Sequence, residues 1–186
     1  MGHGGNVIEE LIADHREVDE LFDKLDAQPA DAKQRRKLAD QLTIELVRHC
    51  VAEEMHLYPA VREHVPDGGT IADGELADHA KVEEHLKDLE GVDADDEHFD
   101  HLVAALKLEV TDHVNDEERR LFPLLAIACT PQDLDELGEK IRTAKKTAPT
   151  RPHPSTPDTP PGNKLLGPGT GLVDRARDLL TGRGKD

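Results

Sequence analysis

The chain is predicted to be all-α: an up-down-up-down four-helix bundle of two repeated helical hairpins, followed by a fifth helix and a disordered tail. Three observations predict this. Apolar residues recur at three- and four-residue steps through four successive segments, as they do on amphipathic helices. Aromatic residues make up only 2% of the chain and Trp is absent, so the core must come from Leu, Val, Ile and Ala, which suits helices packed on helices. One stretch also occurs twice. His49–Pro59 and His113–Pro123 both read H-x-x-x-E-E-x-x-L-[aromatic]-P, 64 residues apart, and each has a histidine 34 residues upstream, His15 and His79.

The first helix starts near Asn6, a good N-cap, and carries Ile8, Leu11, Ile12, His15, Val18, Phe22 and Leu25 on one stripe before Gln28-Pro29 closes it. The second starts near Asp31 and carries Leu38, Leu42, Leu46, His49 and Glu53. Pro59 removes a helical hydrogen bond, so this helix should kink or end there. His64–Gly69, with Pro66-Asp67-Gly68-Gly69, reads as a turn. The third helix is expected from about Asp73 to Glu90, with Leu76, His79, Val82, Leu86 and Leu89 inward and Gly91 as its stop. The fourth starts near Asp95. It carries Phe99, Leu102, Val103, Leu106, Val110, His113 and Glu117, and Pro123 repeats the role of Pro59. Two matching hairpins of this kind give a four-helix bundle.

A fifth helix is expected over 131–146, capped by Thr130, with Pro131 at its first position and Leu134, Leu137 and Ile141 on its apolar face. Lys140, Arg142, Lys145 and Lys146 suit its C-terminal end. Residues 1–146 therefore form the bundle domain. Residues 147–170, rich in Pro, Thr and Gly, read as a disordered linker. A short amphipathic helix at 172–180 would follow, marginal alone. Such a tail could report to a partner.

The net charge is −17, which disfavours nucleic acid or an anionic membrane as the main partner. The charge is uneven: residues 140–186 hold ten Lys/Arg and four Asp/Glu, so this end is +6 and the remainder −23. Cys50 and Cys129 form no C-x-x-C pair and no disulfide framework. No apolar run approaches 18 residues and no signal peptide opens the chain, so a cytoplasmic location is expected.

The inward stripes bring six chemical groups together: His15, His49, Glu53, His79, His113 and Glu117. Glu53 lies only about 40° round the helix from His49, so both point into one space. Burying two carboxylates among leucines costs several kcal/mol each unless something compensates. Two bound cations would compensate, and imidazole with carboxylate suits iron, manganese or zinc. Six ligands exceed the four of a structural zinc site. A ferritin-like centre needs Glu-x-x-His from two helices, and here only Glu53-x-x-His56 fits.

Other residues are read more plainly. His3, His98, His101 and His153 are expected to face solvent, His64 to belong to the turn, and Glu54 and Glu118 to be exposed charge. Glu83, one turn beyond His79, is a candidate seventh ligand or helix-surface charge, as is Asp19 beyond His15. His56 is in phase with Glu53 and is placed at the mouth of the site. Tyr58 lies about 180° from His49 on an ideal wheel. Only a kink at Pro59 would swing its hydroxyl inward as an oxygen ligand; otherwise it packs.

Over residues 6–127 this constellation resembles the hemerythrin family in its broad HHE cation-binding form. The resemblance implies a non-haem di-iron centre, oxo- or hydroxo-bridged, with His15, His49, His79 and His113 as terminal ligands and Glu53 and Glu117 as bridges. Oxygen-carrying members have H-x-x-x-H on the third helix and H-x-x-x-x-D on the fourth, where this chain has His79/Glu83 and His113/Glu117. One imidazole fewer and more carboxylate favour ferric iron, which puts simple oxygen storage in doubt. It also leaves a coordination position to admit peroxide. The departures resemble the bacterial hemerythrin-like branch. They imply reaction with hydrogen peroxide or oxygen, with catalase-like breakdown favoured. Non-enzymatic binding or sensing of oxygen or nitric oxide, or a role in iron homeostasis, is the alternative.

Overall fold

The computed structural model describes residues 3–27, 31–154, 162–181 and 183, with the backbone alone for 162–168. The first helix, α1 (Val7–Asp26), opens with a capping box that satisfies its end amides locally. The Asn6 side chain accepts from the Ile8 and Glu9 amides, and the Glu9 carboxylate returns to the Asn6 amide. Asp31 caps α2 (Ala32–Ala52), which runs without a break through a π-helical turn (Glu53–Leu57) into α3 (Tyr58–His64). The second hairpin repeats the plan. It comprises α4 (Gly68–Glu90) and then α5 (Glu97–Asp116), which passes through a π-turn (Glu117–Leu121) into α6 (Phe122–Ala128).

The third long helix begins earlier than the sequence suggests. Asp67 takes a left-handed conformation (φ 57°), which aspartate tolerates, and the helix starts at once at Gly68. A Cβ at Gly68 would lie 2.0 Å from the Val61 carbonyl oxygen, so glycine is what lets α4 leave α3 so closely. The expected turn glycines are therefore the first residues of a helix. The expected close of α1 at Gln28-Pro29 lies outside the described residues.

The bundle core falls into two apolar clusters. One gathers Val7, Leu11, Leu57, Val61, Ile71, Leu121, Phe122 and Leu125, and α7 (Pro131–Thr147) covers it with Leu134, Leu137 and Ile141. The other gathers Val18, Phe22, Leu42, Leu46, Val82, Leu86, Phe99, Leu106 and Val110. The six histidines and glutamates of the sequence prediction lie in neither cluster. They form a buried polar layer between the two.

The C-terminal segment departs from the expectation of a disordered linker. Residues 148–150 are buried against the bundle, and the helix expected at 172–180 is part of a longer one, α8 (Gly162–Thr181). Residues 155–161 of the expected linker lie outside the described residues. The inward face of α8 is polar: Asp178 accepts from Thr150 and Arg151, and Asp174 contacts Thr150 and His153. Leu172, Val173, Leu179 and Leu180 face outward. Among the described residues no helix is long and apolar enough to cross a membrane.

Candidate metal centre

Each hairpin delivers two histidines and one glutamate to the middle layer, and all six side chains are at most 5% exposed. His49 Nε2 lies 3.1 Å from Glu53 Oε2, and His79 Nε2 lies 3.3 Å from the same oxygen. His15 Nε2 and His113 Nε2 lie 3.4 and 3.7 Å from Glu117 Oε2. The Nε2 atoms of His79 and His113 are 3.3 Å apart. The donors fall into overlapping sets: His15, His49, Glu53 and Glu117; Glu53, His79 and His113; and Glu75, His113 and Glu117. Within each, one donor atom per residue lies within 4.8 Å of the others, a spacing that ligands about 2 Å from a shared ion would have.

The polar layer is incomplete as a purely protein structure. Glu53 Oε1, Glu117 Oε2 and His15 Nε2 are buried and accept or donate no hydrogen bond. Orphaned carboxylate oxygens in such a place cost several kcal/mol, and a cation is what they lack. The donor set thus fits a bound metal. Burial opposes charge on both His49 and Glu53. Their mutual attraction, with Asp14 on the far ring nitrogen, holds the imidazole well above its ordinary range and the carboxyl well below.

A second layer of carboxylates aims the imidazoles. The outward Nδ1 of His15 meets Glu118 at 2.8 Å, that of His49 meets Asp14 at 3.3 Å, and that of His79 meets Glu54 at 3.0 Å. Glu75 lies 3.0 Å from His113 Nδ1, off the line of a true hydrogen bond, and burial pushes its carboxyl up to about 7. Such partners fix the tautomer and leave Nε2 as the ligand atom. Glu54 and Glu118, expected to be exposed charge, are therefore part of the site. The second Glu of each repeat reaches across to the upstream histidine of the other hairpin. Glu75 carried no sequence signal beyond its place on the third helix.

Tyr58, His56 and Glu83 separate cleanly. The Tyr58 hydroxyl is inside the centre, 2.9 Å from His79 Nε2, 3.3 Å from Glu117 Oε1 and 3.5 Å from Glu53 Oε2. The π-turn brings it there. One extra residue in the turn advances the chain by about 100°, which puts Tyr58 in phase with Glu53. Burial, then the charges of Glu53 and Glu117, push the phenol well above its ordinary value, so it keeps its proton. Phe122 occupies the equivalent place in the second hairpin and stacks on His15, with ring centroids 5.9 Å apart.

The same π-turn carries His56 away. It lines a surface pocket beside α7 with Met55, His64 and Cys129 rather than the mouth of the site. Glu83 is not in the centre either; it accepts the His153 amide at 2.7 Å. His153, expected in solvent, is thus half-buried and tied to α8 through Asp174. Asp19 is exposed beside Arg16.

The fold and this layer define a helical-bundle metal-binding protein. The family model for the hemerythrin HHE cation-binding domain matches residues 6–125, and the chain belongs to that family. It is 25% identical over 171 residues to an uncharacterized hemerythrin-like protein of Schizosaccharomyces pombe, covering 91% of this chain and 84% of that protein. A DNA nickase of Nostoc sp. is 28% identical over 141 residues; the match covers 75% of this chain but only 39% of the nickase. Among solved structures, a hemerythrin HHE cation-binding domain-containing protein of Mycobacterium kansasii superposes with a TM-score of 0.67 at 26% identity. That match covers 76% of this chain and 85% of the other.

Proposed function

We propose that this chain holds two iron ions and breaks down hydrogen peroxide in a catalase-like reaction. His15, His49, Glu53 and Glu117 would hold one ion and His79 and His113, sharing the two glutamates, the other, with the Tyr58 hydroxyl beside the second as a proton donor. When bound, the iron pair supplies the two-electron redox change that peroxide disproportionation requires. The protein's share is orientation and proton handling. Glu118, Asp14, Glu54 and Glu75 hold the four imidazoles from outside. The Tyr58 hydroxyl supports the peroxide reading most directly, because it keeps a proton at Oη within the donor set, where a departing oxygen atom would need one. Its placement also makes the two metal positions chemically unequal, phenol on one side and Phe122 on the other.

A second reading, reversible binding of oxygen or nitric oxide, is favoured by one observation. A small cavity beside His15, His49 and His113 is walled by Val18, Leu46, Val82, Val110 and Val114, a surface suited to an apolar diatomic. Metal analysis with an absorption spectrum tests the centre: two irons per chain with an oxo-to-iron charge-transfer band are expected. Peroxide consumption by the diferric protein no faster than by free iron rejects the enzyme. A stable, reversible oxy spectrum after anaerobic reduction selects the binding module instead.

A further inference from the structure

We infer that Lys145, contributed by α7, is a positioning residue for the metal held by His15, His49, Glu53 and Glu117, acting through Asp14 on His49. The inference rests on the two-metal reading above. Its starting point is a broken symmetry. Both hairpins contain the dipeptide Asp-His, Asp14-His15 and Asp78-His79, at the 64-residue period. Asp78 stays on the surface and pairs with Lys81 at 2.8 Å. Asp14 turns inward and faces His49 Nδ1. What distinguishes them is α7, which has no counterpart in the repeat and lies beyond the 6–125 stretch that matches the family domain.

Lys145 is buried, its side chain 6% exposed, between two buried carboxylates. Its ammonium donates to Glu10 Oε1 at 3.0 Å and to Asp14 Oδ1. Glu10 is held in turn by the His3 and Gly4 amides, at 2.7 and 3.0 Å, and by Arg142. Asp14 is thus pinned at both oxygens, one to Lys145 and the other to the ring of His49. His3 Nε2, which also lies 3.3 Å from Asp14 Oδ1, is exposed. Gly138 allows the helix to reach this position, since a Cβ there would lie 2.9 Å from the Asn6 and Val7 backbone. Burying an ammonium costs several kcal/mol unless it is paired, so the Glu10–Lys145–Asp14 trio holds together as a unit. Two of the other outer carboxylates pair with cations of the bundle itself, Glu118 with Arg16 and Glu75 with Arg120. Without Lys145, Asp14 is free to turn outward as Asp78 does, and His49 loses the acceptor that sets its ring. The effect falls on one metal position and spares the other.

The test is a titration of the metal-free full chain with Co²⁺ alone, followed by calorimetry and visible absorption. Wild type taking up two equivalents is the prediction of the two-metal reading by itself; fewer would reject that reading and the inference with it. Lys145→Met is expected to keep its helical circular dichroism and to weaken one equivalent by roughly 10–100-fold, with that equivalent's cobalt bands altered. The second equivalent is expected to be unchanged. Lys145→Arg should recover most of the loss. If the Met variant does not fold, Asp14→Asn leaves Lys145 on Glu10 and is expected to give the same selective weakening. An unchanged titration, equal weakening of both equivalents, or no recovery by Arg overturns the role of Lys145 while leaving the two-metal reading intact.

Discussion

Glu54 and Glu118 show how a residue can be misplaced by a correct helix. On a wheel they step off the inward stripe, and their side chains are 11% and 22% exposed rather than buried. Each nonetheless holds an imidazole, because its partner belongs to the opposite hairpin. Removing one should therefore act on the other hairpin's metal position. Glu118→Ala is expected to weaken the ion at His15, and Glu54→Ala the ion at His79, each by roughly 10–100-fold in a two-site titration. Weakening of both sites by either variant would count against this crossed arrangement. Tyr58 makes the complementary case. Phe122 shows that the fold accepts phenylalanine at the matching place, so Tyr58→Phe should keep helicity and metal content. If the phenol supplies the proton in peroxide breakdown, the variant's turnover should fall by roughly 10²-fold, the lower end for a lost general acid. Undiminished turnover would remove Tyr58 from the chemistry.

The two π-turns carry the site at the level of the element. Both span the E-E-x-x-L of the repeat, Glu53–Leu57 and Glu117–Leu121, directly before Tyr58-Pro59 and Phe122-Pro123. Proline at the second position of the following helix cannot donate a hydrogen bond, which favours the slipped register upstream. Pro59→Ala restores the missing donor and should let the first turn relax to ordinary α-helix, leaving Tyr58 five residues from Glu53 and rotating everything after the turn by about 100°. Tyr58 is the only tyrosine and Trp is absent, so tyrosine emission reports this directly. The substitution is expected to shift it from a buried ring beside His79 to an exposed one. Unchanged emission would mean that the π-turn is not what aims the phenol.

This is also where the sequence stops being legible. Periodicity and the 64-residue repeat locate His15, His49, Glu53, His79, His113 and Glu117, because side chains on an apolar stripe obey the helical period. Pro59 and Pro123 mark a disturbance. They do not say that the hydrogen bonds slip by one residue, so Tyr58 stays ambiguous, His56 is placed at the mouth of the site when it faces α7, and Glu83 keeps a candidacy that its place outside the centre does not support. Lys145 reads as a charge complementing a helix terminus, since its two carboxylate partners are more than 130 residues away in sequence.

For the whole molecule, the uneven charge explains how a Pro- and Gly-rich segment stays on the bundle. Residues 140–186 are +6 against a −23 remainder, and ion pairs join the two. Arg151 pairs with Glu90 at 3.2 Å, and Arg183 reaches Glu90 at 2.9 Å and Asp40 at 3.3 Å. Arg175 donates to the carbonyls of Lys146, Thr147 and Ala148. Among the described residues of α8, Leu172, Val173 and Leu180 are exposed. Partly exposed ion pairs contribute at most about 1 kcal/mol each, and salt weakens them as the screening length shrinks from about 10 Å at 0.1 M to about 3 Å at 1 M. Amide hydrogen exchange over 162–181 is therefore expected to accelerate in 1 M salt, while amides of the bundle keep their protection. None of these contacts passes through the Glu10–Lys145–Asp14 trio, which ends within α7. A chain ending at Thr147 should accordingly bind metal with an unchanged absorption spectrum and lose only the small stability of the tail contacts. A shifted spectrum would show that the tail acts on the centre, and salt-independent exchange would show that its docking is not ionic.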